Sequence, residues 1–128
     1  MQKINLFKMN RPEVEAAIAA GFDTVIVTLG STEQHGLHLP LGTDAILGET
    51  LGDRVTRALG HALMTPCLPI GCSEHHMDFA GSLTLSQETF SQVLSDLCRS
   101  LAQHGFDYIV LISFHGGNFT PLARAVKA

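Results

Sequence analysis

Positive charge is scarce in this 128-residue chain, where eight lysines and arginines stand against twelve acids for a formal net charge of -4. No basic stripe exists to neutralise phosphates, which argues against nucleic acid as a partner. The one local run, Lys3, Lys8 and Arg11, reads as a solvated terminus. Cysteine is equally thin. Cys67, Cys72 and Cys98 are odd in number and lack C-x-x-C spacing, so they predict reduced thiols in a cytoplasmic protein and no disulfide framework. A zinc site on Cys67 and Cys72 finds no second Cys/His pair at matching spacing. The amino terminus has no apolar signal region, and no apolar run approaches the ~20 residues that cross a bilayer, so the expectation is a soluble chain without a membrane partner. Internal repeats and low-complexity linkers are missing too.

What is present suits one globular domain over residues 1–128, with 45% hydrophobic residues and a length that buries roughly two-thirds of the unfolded surface. Asn10 followed by Pro12 and Glu13 reads as a helix start, with the helix ending near Gly21. Thr24–Leu29, TVIVTL, is β-branched and nearly all apolar, as expected of a strand buried on both faces. A long loop, Gly30 to Thr43, follows. From Asp44 to Gly60 a helical pattern sets Leu47, Leu51, Val55 and Leu59 on one apolar face. Leu63 to Ile70 reads as a second strand, made an edge or irregular one by Pro66 and Pro69. A polar loop over 71–84 leads to Ser86, which caps a helix striped by Phe90, Val93, Leu94, Leu97 and Leu101. Tyr108–Ile112 is the third strand, and a glycine-rich loop, Phe114 to Asn118, opens onto a last helix around Pro121.

Strands alternating with helices imply βαβ units around a parallel sheet. In such sheets, binding groups gather in loops beyond the carboxyl ends of the strands. All three unusual polar loops lie there. The last helix has barely begun at the final residues, which leaves a sheet edge and apolar faces to be covered. Self-association into a homo-oligomer is the expectation that follows.

The first loop is the densest in chemistry. Glu33 and His35 are two apart and project to one side of extended backbone. Asp44 sits at the far end of the loop and His115 at the equivalent end of the third strand, before Gly116 and Gly117. Carboxylates and imidazoles presented together suit zinc, manganese or iron. Each residue also has a plain alternative. Asp44 is in position to be a helix N-cap, Glu33 a solvated loop carboxylate, and His35 and His115 half-buried rings satisfied by backbone. Taken singly the plain readings lead; four ligand-type residues at adjacent strand ends bring a metal site level with them.

The Gly30–Asp44 segment, GSTEQHGLHLPLGTD, resembles the creatininase family's G-S-x-E-Q-H-G-x-H-L-P-L-x-T-D signature. Gly71–Ser82, GCSEHHMDFAGS, is similar to its second block, usually G-x-S-x-x-H-x-x-F-P-G-T, and Phe114–Asn118, FHGGN, to its third, N-G-H-G-G-N. The blocks occur in order and the resemblance covers nearly the whole chain. It implies a Rossmann-like, three-layer α/β/α fold with helices on both faces of a parallel sheet, incomplete relative to the family. It also implies that Glu33, His35, Asp44 and His115 bind a divalent metal centre, zinc before manganese or iron, with Asp44 bridging two ions in the complete enzyme. Thr28, Leu37, Ala80, Ser82 and Ser113-Phe114 depart from the pattern at backbone or supporting positions. Gly117 stands where creatininase itself has a glutamate ligand, as it does in many relatives, and this argues against creatinine as substrate. Family members continue well past this length, so the chain resembles an amino-terminal half whose partner half carries a further carboxylate and catalytic groups.

The expected function is metal-dependent hydrolysis of a C–N bond in a small cyclic amide or related compound. Glu33 and His76 are the residues assigned to the chemistry, and His76 also lines the pocket. The alternative is a metal-binding or remnant domain without turnover. His75 and His38 are read as partners that orient ligands, and His61 and His104 as cations at helix ends. A nucleotide-binding βαβ module ranks last, because the first strand is not followed by G-x-G-x-x-G.

Overall fold

Asn10 opens helix α1 (Arg11–Ala19) with a reciprocal capping box: its side chain accepts from the Glu13 amide while Glu13 accepts from the Asn10 amide. The computed structural model describes residues 1–127. Strand β1 (Thr24–Leu29) follows, buried at all six positions as its β-branched run predicts. Helix α2 (Thr43–Leu59), strand β2 (Ala62–Met64), helix α3 (Gln87–Gln103), strand β3 (Tyr108–Ser113) and helix α4 (Phe119–Lys127) complete the order. The three strands form one parallel sheet in the order β2-β1-β3, with Thr24 level with both Ala62 and Tyr108.

β2 is shorter than the Leu63–Ile70 span expected from sequence. Pro66 and Pro69 have no N–H to give the ladder, and the register shows the consequence. Ile26 pairs with Met64 but Leu29 pairs with Leu68, so one extra residue is taken up between them. The Leu68 amide still donates to the Thr28 carbonyl at 3.0 Å, which keeps this segment alongside β1 to the end. The last helix also starts earlier than expected, at Phe119, with Pro121 in its first turn where a missing N–H costs nothing.

Alternation along the strands sorts the layers. Ile109 and Leu111 line a cleft with Leu94 and Cys98 of α3 and Ala125 of α4, which places those helices over one face. Phe90, Leu94 and Leu101 of the expected α3 stripe are buried there. Helix α2 covers the opposite face, against Thr28 and Met64. The sheet is therefore flanked by helices on both sides.

The face α2 uses is not the leucine face. Gly48, Gly52 and Thr56 are buried, while Leu47, Leu51, Val55 and Leu59 are exposed, Leu47 at 46%. The reason is distance. A Cβ on Gly52 would lie 2.9 Å from Thr28 Cγ2, and one on Gly48 would lie 2.7 Å from Cys67 Sγ, so the helix axis comes too near the sheet for leucine. The opposite flank of α2 is tied to the β2 side by Glu49, which accepts from Asn5 and from the Cys67 amide, and by Arg57, which donates to the Gln2 carbonyl. The leucine flank is thereby turned towards β3.

Candidate metal centre

Three loops at the carboxyl end of the sheet meet at one cluster, and a single buried amide links them. Asn118 is fully buried; its Nδ2 donates to the Gly30 carbonyl at 3.0 Å and its Oδ1 accepts from the Cys72 amide at 2.9 Å. The loops after β1, β2 and β3 are thus fixed to one another by one side chain. Sequence reasoning gave Asn118 no role, although it stands in the block that carries His115.

Within that frame the four expected ligands come together. Glu33 follows β1 on backbone held by its own amide, which donates to the Leu41 carbonyl, and it is 5% exposed. Its Oε1 is 3.2 Å from His115 Nδ1, and its Oε2 has no hydrogen-bond partner. Asp44, buried in the first turn of α2, spans two rings. Oδ1 is 3.0 Å from His35 Nε2, and Oδ2 is 3.2 Å from His115 Nδ1 and accepts from Ser31 Oγ at 2.8 Å. The N-cap alternative for Asp44 falls: Gly42 is the cap residue and no side chain caps the helix. Asp44 instead stands in the first turn of α2, at the positive end of the helix dipole.

Backbone carbonyls settle which ring nitrogens carry hydrogen. A carbonyl only accepts, so His115 Nε2, 2.8 Å from the Cys72 oxygen, must be the N–H. His35 Nδ1, 3.0 Å from the Glu33 carbonyl, must be one as well. In neutral imidazoles the remaining nitrogens, His115 Nδ1 and His35 Nε2, then present lone pairs to carboxylate oxygens at 3.0–3.2 Å. Lone pair against anion is repulsive unless a proton or a cation lies between them. Hydrogen bonding to the Glu33 carbonyl raises the His35 pKa, with Asp44 adding to it against the opposing effect of burial. Two nitrogens and the oxygens of two carboxylates facing one space form a donor set for a divalent ion. The orphaned Glu33 Oε2 is a further acceptor awaiting one.

The supporting residues divide more sharply than the sequence indicated. His76 reaches the cluster, with Nε2 3.7 Å from Glu33 Oε2 and Nδ1 paired with the Gln34 side chain at 3.0 Å. His75 stacks on His115. His38 is exposed. His61 lies 3.8 Å from Asp23 just beyond α2, and His104 caps the end of α3, as helix-end positions require. Ser31, overlooked in the sequence, is fully buried against Asp44. Its place inside the long first motif was the available signal.

Comparison with known proteins gives this geometry a context. The family model described as creatinine amidohydrolase matches residues 8–128. The mycofactocin precursor peptide peptidase of Mycobacterium tuberculosis (strain ATCC 25618 / H37Rv) is 37% identical in an alignment that covers 80% of this chain and 44% of that protein. Creatinine amidohydrolase of Pseudomonas putida is 32% identical in an alignment that covers 83% of this chain and 42% of that one. A creatininase crystal structure superposes with a TM-score of 0.92 at 28% identity, over 99% of this chain and 51% of its own. Creatininases solved in a manganese form and in a Zn–Zn form match at 0.91 and 0.90 over about half of their lengths. The chain spans about half the length of the relatives it matches.

Proposed function

This chain belongs to the creatininase family, and on that premise we propose that Glu33, His35, Asp44 and His115 hold a divalent metal centre for hydrolysis of a C–N bond. One observation carries the reading: two histidines whose outer nitrogens are fixed by carbonyls turn their lone pairs onto carboxylates, an arrangement that only a cation or added protons relieve. Zinc fits this donor set first, with manganese and iron behind it. Asp44, with one oxygen beside each ring, would help to hold an ion on either side, which supports two ions in the complete enzyme. A bound divalent ion supplies Lewis acidity and a water acidic enough to attack near neutral pH.

The chain's own groups do the rest. The Cys72 carbonyl orients His115, the Glu33 carbonyl orients His35, and Ser31 holds Asp44. Glu33 holds the attacking water in place, and His76, steadied by Gln34 beside the free Glu33 oxygen, gives a proton to the leaving nitrogen. The substrate class is a small cyclic amide or related compound. Because the mycobacterial relatives are named peptidases, short peptides belong in the same screen.

A second reading is a metal-binding domain without turnover. Elemental mass spectrometry on the wild type, Glu33→Ala and His115→Ala decides the first step. Near-stoichiometric zinc or manganese, lost in both variants, supports the centre; a folded wild type without metal removes it. Turnover of any amide in a panel, abolished in Glu33→Ala, then separates the enzyme from the binding domain.

The reading extends to assembly. Tyr108, Val110 and the Leu47–Leu59 flank form an exposed apolar surface, which supports a homo-oligomer. Among the described residues no helix is long and apolar enough to cross a membrane. The three free cysteines support a cytoplasmic location.

A further inference from the structure

The metal cluster is enclosed on one side by β1 and α2 but has no carboxylate from the loop after β3. A Cβ at Gly117 would collide with the Cys72 carbonyl oxygen and lie 2.6 Å from His115 Nε2, so this backbone admits no side chain there. A different group stands on that side. His75, exposed in the 3-10 turn Glu74–His76, stacks on His115 with ring centroids 5.9 Å apart and planes 7° from parallel. It shares a cleft of about 350 Å³ with Cys72 and Gly117. Among the described residues its ring nitrogens have no hydrogen-bond partner. One ligand atom from each of Glu33, His75 and His115 falls within 4.8 Å of the others.

We propose that His75 is a protein ligand of the metal centre, supplying from the second loop a donor that Gly117 cannot supply from the third. The inference rests on the metal-site reading above and assigns one more residue to it. Three features favour ligation over a surface stack. The ring is unbonded while its neighbour His76 is tied to Gln34. One of its ring nitrogens lies within 4.8 Å of a Glu33 carboxylate oxygen. Its position on a short turn lets it close the remaining distance without moving the sheet. With Glu33, Asp44 and His115 it would give two carboxylates and two imidazoles to hold the ion that His115 faces.

The test separates ligation from stacking. His75→Phe keeps an aromatic ring over His115 and removes the donor; His75→Cys keeps a donor and removes the ring. Zinc affinity is measured by competition with a chromophoric chelator, and coordination by the visible absorption of the Co²⁺-loaded chain. The expected result is that His75→Phe weakens zinc by at least the about 10- to 100-fold that loss of an outer partner costs. It also shifts the Co²⁺ bands, while His75→Cys retains affinity and gains a thiolate charge-transfer band. Zinc affinity within about twofold of wild type and unchanged Co²⁺ bands in His75→Phe overturn the proposal, provided Glu33→Ala abolishes binding. Undiminished binding in Glu33→Ala and His115→Ala overturns the metal-site reading itself, and the role of His75 with it.

Discussion

Strands β1 and β3 have the same length and nearly the same apolar character, TVIVTL against YIVLIS, and they lie side by side in register. Their surroundings are opposite. Every residue of β1 is buried and none of β3 is. β1 has a strand on each side and helices above and below. β3 has one neighbour, and α2 lies over the other two strands, so Tyr108 and Val110 face outward beside the α2 leucine flank. Burial of a strand is therefore set by its place in the sheet order. At their carboxyl ends the difference vanishes, because Glu33 and His35 after β1 and His115 after β3 reach the same buried cluster. The site end of the domain is closed while the flank of β3 is open.

The largest effect that tests this contrast comes from register partners. Ile26 of β1 is 1% exposed and pairs with Val110 of β3, which is 41% exposed. Ile26→Ala should cost about 2–5 kcal/mol in urea unfolding, whereas Val110→Ala should stay under ~1 kcal/mol. Equal costs would mean that β3 is covered in solution. Sedimentation across a range of concentrations would then show whether a second copy does the covering.

The next effect bears on the closed end. Asn118→Ala strands the Gly30 carbonyl and the Cys72 amide in a dry interior, at about 1–3 kcal/mol for each unsatisfied group. Because the same bonds hold the three site loops together, metal affinity should fall along with the melting temperature. A variant that loses stability but binds zinc as wild type does would show that the loops converge without Asn118. The closed end would then owe its geometry to the strands alone.

How much of this the sequence disclosed depends on which physical signal each element uses. β1, the Asn10 capping box and the Phe90–Leu94–Leu101 stripe were legible because local pattern and final burial agree. Glu33, His35, Asp44 and His115 were legible as ligand-type residues at strand ends; their convergence needed tertiary structure. Helix α2 misled for a definite reason. Leu47, Leu51, Val55 and Leu59 repeat every four residues, but Gly48, Gly52 and Thr56 do so as well, one position round the helix. Hydrophobicity selects the first row, close approach to Thr28 selects the second, and periodicity cannot rank them. An open sheet edge was expected, but that Tyr108 and Val110 of β3 would lie on it was not, since strand order is not written in any one strand.

The smallest effect expected is one of pH, and it too separates the closed end from the open flank. In the metal-free chain the folded state raises the pKa of His35 above its ordinary value of 6.5, first through the Glu33 carbonyl and then through Asp44. A raised value in the folded state means that protonated His35 adds stability. That contribution is complete below the unfolded value and is lost as pH climbs through the folded one. Melting temperatures of the metal-free wild type should therefore decline on going from slightly acid to slightly alkaline pH, and His35→Gln should flatten that decline. Zinc needs the same nitrogen without its proton, so zinc affinity should rise over the range in which metal-free stability falls. Val110→Ala, on the exposed flank away from the cluster, should keep the wild-type profile in both measurements. If it were to change either profile, the open flank and the metal cluster would be coupled, and the division drawn between β1 and β3 would have to give way to a single cooperative unit.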